Sequence, residues 1–301
     1  MEHNEYHNPV LLTETVDGLN IKPDGVYVDV TFGGGGHSKE ILRRLGPDGK
    51  LFAFDQDTDA LQNALKDDRF ELINANFRDI KRFLRVYGIK EVDGILADLG
   101  VSSHQFDVAD RGFSIRFDAA LDMRMNQNSN ISAYEIVNEY EEKELARIFF
   151  DYGELKPARG MAAAIANSRI KTPIKNTEQL KEVLSKFLPP HRSNKILAQI
   201  YQAIRIEVNQ EMDALKEFLE QSLTLLKPKG RLSVISYHSL EDRLVKRFIK
   251  NGMFEGEPER DFFGRFEVPF KAIGKHIIPT DKEIELNNRA RSAKLRIAEK
   301  K

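Results

Sequence analysis

The run Val26-Tyr-Val-Asp-Val-Thr-Phe-Gly33-Gly34-Gly35-Gly36-His37-Ser-Lys-Glu-Ile-Leu-Arg-Arg-Leu45-Gly46 constrains the fold more than any other part of the chain, because a buried strand passes through four glycines into a helix that Gly46 ends. Glycines let backbone N–H groups approach a ligand closely, and the helix N-terminus behind them offers partial positive charge to a carboxylate or phosphate. A second strand, Leu51-Phe-Ala-Phe-Asp55-Gln-Asp57, sets Asp55 about twenty residues beyond the glycines, where Rossmann-type sheets place an acid on a ribose diol. Together these features predict a cradle for a small molecule that carries a nucleoside.

The glycine spacing narrows the ligand. A nicotinamide-type G-x-G-x-x-G needs a third glycine where this chain has Ser38 or Lys39. Asp29-x-Thr31-x-Gly33-x-Gly35 instead resembles the D-x-G-x-G-x-G of S-adenosylmethionine (SAM) methyltransferases, with Thr31 in the first glycine's place. The plainer alternative is a glycine-rich turn that binds nothing.

Strand patterns at about 26–31, 50–55, 71–75 and 93–98 alternate with amphipathic helices, which predicts a doubly wound parallel α/β sheet. From 107 to 208 the strand signals stop. Ser132-x-x-Glu135 reads as a capping box, Gly153 as a helix end, Pro157 as a helix start and Thr177 as a cap. The sheet pattern resumes with a helix striped by Met212, Leu215, Phe218, Leu219, Ser222 and Leu226, a stop at Lys227–Gly230 and a fifth strand from Arg231 to Ser236. Segments 266–270 and 293–298 are expected to pair as antiparallel final strands, and 254–264 to form a surface loop. The predicted organisation is a core of residues 1–106 and 209–301 interrupted by an inserted all-α domain, 107–208, that recognises the substrate.

Composition excludes several classes. With 41% hydrophobic and 31% charged residues the chain is globular, and no run approaches the roughly 18 apolar residues that span a membrane. The N-terminus lacks an apolar export segment, so a cytoplasmic location and no membrane partner are expected. Having no cysteine excludes disulfides, a Cys-based zinc site and a cysteine nucleophile, and no metal is expected. Formal net charge is −1, yet cations cluster at Arg289, Arg291, Lys294, Arg296, Lys300 and Lys301, and at Arg243, Lys246, Arg247 and Lys250 on one helix. Each cluster reads equally as a solvated face.

Open α/β sheets bind ligands at the carboxyl ends of their strands. Those ends hold Gly33–His37, Asp55, Asn76-Phe77, Asp98–Ser103 with Gln105, and Ser236–Arg243. Phe77 is placed to stack on an adenine or to join the core. Asp98 stands out, since a carboxylate that ends a buried apolar strand is costly unless something polar faces it. Ser239-x-x-Asp242 reads equally as a helix cap, and His37 as a helix-start residue.

Seven runs, in order over nearly the whole chain, resemble one family: Thr31-Phe-Gly-Gly-Gly-Gly-His37-Ser, Asp98-Leu-Gly-Val-Ser-Ser103-x-Gln105, Arg111-Gly-Phe-Ser, Leu121-Asp-Met-Arg-Met125, Gln202-Ala-x-Arg-Ile-x-Val-Asn209, His238-Ser-Leu-Glu-Asp-Arg243 and Arg289-Ala-Arg-Ser292. The family is the bacterial small-subunit rRNA cytosine-N4 methyltransferases, also called the RsmH or MraW family. The resemblance implies a Rossmann-like, class I SAM-dependent methyltransferase core. Its implied target is the N4 amino group of one decoding-centre cytidine of 16S rRNA, cytidine 1402 in the usual rRNA numbering. Cofactor contacts are implied at Gly35, Gly36, His37, Asp55, Phe77, Asp98 and Gln105. Asp98 is the candidate catalytic residue, and Asp122, Arg124, His238, Ser239, Arg289 and Arg291 are candidates for substrate contact. The partner is the small ribosomal subunit, with room for a homodimer. Ala119-Ala120, Asn288 and His104 depart from the family pattern, which touches loop shape and RNA docking rather than the cofactor contacts.

The chemistry read from residues agrees with that assignment. Methylation of cytosine at C5 generally needs a cysteine to attack C6, whereas an exocyclic amine attacks a sulfonium methyl directly. The N4 lone pair is delocalised, so an acceptor for its N–H assists, and nitrogen, methyl and sulfur must be held in line. Asp98 or neighbouring backbone carbonyls can accept, although the D-P-P-Y run of many amino-methyltransferases is absent. The base must also be splayed from its stack, which suits rRNA better than closed duplex. The competing classes are a nicotinamide dehydrogenase and a SAM-binding, non-catalytic ribosome assembly factor.

Overall fold

Alternating large side chains build the sheet. The computed structural model describes residues 9–258, 262 and 268–301. β1 (Val26–Asp29), β2 (Lys50–Asp55), β3 (Phe70–Asn74), β4 (Val92–Asp98), β5 (Leu226–Ser236), β6 (Phe270–Ala272) and β7 (Lys294–Lys300) form one sheet in the order β3-β2-β1-β4-β5-β7-β6. The first five strands pair in parallel, and β7 runs antiparallel to both β5 and β6. Order reverses at β1, between β2 and β4, which is where such sheets open a crevice at their carboxyl ends.

The helices, in chain order, are α1 (Leu12–Gly18), α2 (Gly36–Arg44), α3 (Ile80–Val86), α4 (Ser103–Asp107), α5 (Ala133–Glu139), α6 (Glu142–Asp151), α7 (Ala158–Arg169), α8 (Thr177–Val183), α9 (Ser193–Asn209), α10 (Glu211–Leu225), α11 (Ser239–Asn251) and α12 (Asp281–Leu286). The chain divides into two units, Met1–Gly100 with Met212–Lys301 and Val101–Glu211.

In the first unit the strand residues alternate between two cores. Tyr27, Leu51 and Leu96 pack with Val16 of α1, Leu19 just beyond it, and Ile41 and Leu42 of α2. Val28, Phe52 and Ile95 face the other way, onto Leu84 of α3, Phe218 and Leu219 of α10, and Phe248 of α11. With both faces covered, the strands read as the continuous apolar runs typical of parallel sheets. Each such fully buried side chain stabilises the fold by about 1.5 to 3 kcal/mol.

Three local details differ from the sequence reading. Between β2 and β3 the expected amphipathic helix is a 3₁₀ turn, Thr58–Asn63, capped by Asp57 accepting from Asp59 N–H. β5 starts at Leu226 rather than Arg231, and the β4–β5 register jumps from Val92↔Leu226 to Gly94↔Arg231, so residues 227–230 bulge out. The final pair is β6 with β7, Phe270 opposite Lys300; of the segment expected at 266–270, residues 266 and 267 lie outside the described residues, as do 259–261, 263 and 264 of the 254–264 loop.

The second unit is helical around Phe149, Met161, Ile165, Ile200 and Ile204. Val101 and Phe106 pack on this core, which carries its boundary a few residues ahead of 107. Asn209 knots the Leu121–Met125 run into place: its carbonyl oxygen accepts from Met125 N–H at 2.7 Å and its amide donates to Met123 O at 2.8 Å. The Arg111 guanidinium donates to the carbonyls of Arg124 and Met125. Among the described residues no helix is long and apolar enough to cross a membrane.

Candidate functional site

The glycine loop at the end of β1 is held by buried polar groups. Asp29 is fully buried, accepting from Thr31 N–H at 3.1 Å and from the Ser38 hydroxyl at 2.7 Å. Burial pushes its carboxyl up to about 6. The Thr31 hydroxyl accepts from Asp98 N–H at 2.6 Å, so the residue in the first glycine's place ties the ends of β1 and β4 together. Gly33 (φ 51°) and Gly35 (φ 75°) adopt left-handed backbone that favours glycine. Gly36 has another reason to lack a side chain: a Cβ there meets Pro9 Cγ at 2.1 Å.

Pro9 to Leu11 form a strap over this loop. The buried His37 ring places Nε2 3.2 Å from Val10 O, and Leu11 N–H donates to Glu283 Oε1 at 2.7 Å. Burial holds His37 down at about 4, so the ring is neutral; donation from Nε2–H leaves Nδ1 as an acceptor, 3.9 Å from Asp98 Oδ2. Gly36→Ala is therefore expected to lift the strap and expose the ring, moving its titration from about 4 towards the ordinary value near 6.5. NMR titration of the imidazole checks this, and an unchanged titration in the folded variant refutes it.

The two aspartates of β4 show what sets the site apart. At the amino end, Asp93 lies between Lys227 Nζ (2.7 Å) and Lys22 Nζ (3.1 Å) and accepts from Val26 N–H. Burial raises its carboxyl, but these partners outweigh it and hold Asp93 below its usual range. At the carboxyl end, Asp98 makes no ion pair with a lysine or arginine among the described residues; the Tyr237 hydroxyl donates to its Oδ1 at 2.7 Å. Burial, with the charges of Asp29 and Glu241 adding to it, pushes Asp98 up to about 7 against the lowering effect of that hydrogen bond. Burial and the Asp98 charge drive Tyr237 well above its ordinary value, so it remains a donor.

Asp55, at the end of β2, accepts from Gly33 N–H at 2.8 Å through Oδ2 and from Asp57 N–H at 2.9 Å through Oδ1. Burial raises it to about 6, against the pull of those two donors. Phe77 follows β3 and packs edge-on against Phe218, with centroids 5.4 Å apart, while remaining partly exposed. Gly35, Gly36, His37, Asp55, Phe77 and Asp98 thus lie at the carboxyl ends of four adjacent strands.

Other expected residues have local duties. Gln105 belongs to the second unit, where its side-chain oxygen accepts from Ser102 N–H and closes the α4 capping box. Asp122 and Arg124, in the same unit, bind each other in a two-pronged pair at 2.7 and 3.0 Å. The cap of α11 is His238, whose Nδ1 accepts from Glu241 N–H, and Ser239, weighed above as the cap, is the first helical residue. Arg289 and Arg291 occupy the 3₁₀ turn Asn288–Ser292; Lys294 follows and pairs with Ser236, so this turn adjoins the carboxyl-end edge of the sheet. Arg291 is exposed, whereas Lys294 and Arg296 both reach Asp242, at 3.5 and 2.7 Å.

Sequence reasoning passed over Tyr237, Ser38 and Glu241 as site residues. Glu241, 2% exposed, accepts from Tyr237 N–H at 2.8 Å and so steadies the tyrosine that holds Asp98. The one signal was their place in runs that flank strand ends.

Comparison with known proteins gives the family. Residues 4–301 match the model of the MraW methylase family. The chain is 77% identical over 296 residues to the "Ribosomal RNA small subunit methyltransferase H" of Flavobacterium johnsoniae, covering 98% of each chain. It is 56% identical over 304 residues to the protein of the same name from Bacteroides thetaiotaomicron, covering all of both. By a family match that runs almost from end to end, this chain belongs to the MraW methylase family.

Proposed function

We propose that the protein is a SAM-dependent methyltransferase acting on the N4 amino group of the decoding-centre cytidine of 16S rRNA, within the small ribosomal subunit. The observation that carries the reading is Asp98: a half-buried carboxylate at the cradle's edge, accepting from the Tyr237 hydroxyl at 2.7 Å and raised to about 7. The residues present fit the cofactor. The left-handed glycines let backbone approach it closely, Asp55 has acceptor capacity beyond its two N–H bonds for ribose hydroxyls, and both raised carboxylates gain from a nearby cation.

SAM, when bound, supplies an electrophilic methyl group on a positively charged sulfur. The protein's own residues do the rest. Asp55 fixes the nucleoside by its diol, Gly33 to His37 hold the loop against it, and the neutral His37 keeps the strap closed. With SAM in the cradle and the cytosine amine in line with its methyl group, Asp98 would accept the proton that N4 loses as the methyl is transferred. Tyr237 points the carboxylate and keeps its lone pairs oriented. General-base assistance of this kind contributes roughly 10²- to 10⁴-fold. With no cysteine in the chain, the attack on C6 that C5 methylation generally requires has no nucleophile here.

The helical unit and the Arg289–Ser292 turn are assigned to the RNA, because a pocket for one base does not recognise a ribosomal particle. The test maps methylated cytidine in small-subunit rRNA from cells lacking the protein, before and after wild type or Asp98→Asn is returned. N4-methylcytidine at the one site, restored by wild type and not by the variant, is expected. Methylation at carbon 5 overturns the reading, and restored subunit assembly without any methylation leaves a non-catalytic assembly factor.

A further inference from the structure

A groove of about 370 Å³ lies between α11 and the β6–β7 edge of the sheet. Its floor is apolar, with Ile249, Ile273 and Ile297, and among the described residues no carboxylate lines it. Lys246 and Lys250 of α11 stand on one side and Lys275, in the turn after β6, on the other. All three are exposed, and among the described residues none makes an ion pair with a carboxylate. Arg296 also lines the groove, but Asp242 already neutralises it.

An anion in the groove would relieve the repulsion among these cations. Lys246 and Lys250 are spaced i, i+4, where like charges on a helix repel, and Lys275 adds a third across the gap. The chain has 47 acidic against 46 basic residues, so a groove lined by cations among the described residues is not a by-product of a basic protein. Lysines do guard exposed sheet edges against pairing, which accounts for Lys271 in the edge strand β6, but not for two lysines on a helix.

We propose that this groove binds the sugar-phosphate backbone of the substrate RNA, an inference that rests on the reading of the protein as an rRNA methyltransferase. The direction of the groove favours a chain of phosphates over a single anion. α11 starts just beyond the carboxyl end of β5 and carries Lys250 about 16 Å along its axis at 1.5 Å per residue. Ile277 bridges Leu295, which in turn pairs with Ile235, so the Lys275 turn lies level with the carboxyl end of β5. The cations therefore mark a path down the flank of the first unit from the edge of the sheet that carries Asp98. A strand following it keeps its phosphates on the lysines and its sugars over the apolar floor.

The test uses full-length protein carrying Lys246→Ala, Lys250→Ala and Lys275→Ala together, with unmethylated small ribosomal subunits as the probe. Binding is titrated across salt concentrations and SAM affinity is measured separately. The triple variant is expected to bind SAM as wild type does, to bind subunits roughly 10- to 100-fold more weakly, and to lose about two from the slope of log affinity against log salt. A control removing Lys50, Arg85 and Lys90, exposed elsewhere on the same unit, keeps the wild-type slope. An unchanged slope in the triple variant, or an equal loss in the control, overturns the proposal, as does lysine-dependent binding to vesicles of anionic lipid without binding to subunits. If wild type binds subunits through these lysines yet never methylates them, the groove stands and the catalytic reading falls.

Discussion

Asp98→Asn lowers single-turnover methyl transfer by about 100-fold or more while SAM affinity falls by less than about tenfold. The substitution keeps size and one acceptor and loses the capacity to take a proton, so a step that needs proton acceptance suffers more than binding does. The pH profile separates this from a merely electrostatic role. Asp98 is an acid raised to about 7 by burial, so the folded protein holds its proton below that pH and releases it above. In wild type, kcat/KM is expected to fall about tenfold per pH unit below that value and to level off above it. A positive charge at the bound sulfur favours the ionised form, so the kcat profile inflects at lower pH than the kcat/KM profile. The residual activity of Asp98→Asn has no such inflection. Tyr237→Phe removes the hydrogen bond that lowers the Asp98 value and moves the wild-type inflection upward. Equal losses of affinity and turnover in Asp98→Asn, with the inflection retained, would falsify the proton-acceptor role and leave Asp98 a binding residue.

Much of the fold was legible because its determinants are local. Strands buried on both faces read as continuous apolar runs, and Asp55 stands at a distance from the glycines that the strand-helix-strand geometry dictates. The shell behind the site was not legible, because its contacts join residues far apart in sequence. Tyr237 reaches Asp98 across 139 positions, and the Val10 carbonyl reaches His37 across 27. Nothing within a few residues of Gly36 announces that Pro9 occupies the space of its missing side chain. Charge was the least legible quantity. Asp122 and Arg124 bind each other, and Lys294 reaches Asp242, pairings that their places in the sequence do not announce. Composition counts charges, whereas function depends on which of them the fold leaves without a partner. Ser239 illustrates the same limit at short range: both it and His238 have an acidic residue three positions on, and backbone geometry selects the histidine as the cap.

Removing the Asp55 side chain tests the cradle apart from the chemistry. Asp55→Ala is expected to weaken binding of SAM and of S-adenosylhomocysteine by the same factor, about 10- to 100-fold, since a hydrogen bond to a charged group contributes about 1.5 to 3 kcal/mol. The equality is the informative part. The ribose is common to both ligands and the positive sulfur is not, so a residue that holds the diol cannot distinguish them. Part of the loss comes from the loop, because Asp55 also accepts from Gly33 and Asp57 N–H. Asp55→Asn separates the two contributions. Its amide oxygen can keep one of those N–H groups, but its NH₂ faces the other, and it presents the diol with a neutral acceptor. Affinity in Asp55→Asn is therefore expected to lie between wild type and Asp55→Ala, again equally for both ligands. Calorimetry on variants that melt as wild type does measures each value. Unchanged affinity for both ligands would confine Asp55 to bracing the glycine loop, and a loss for SAM alone would assign it to the sulfonium rather than the ribose.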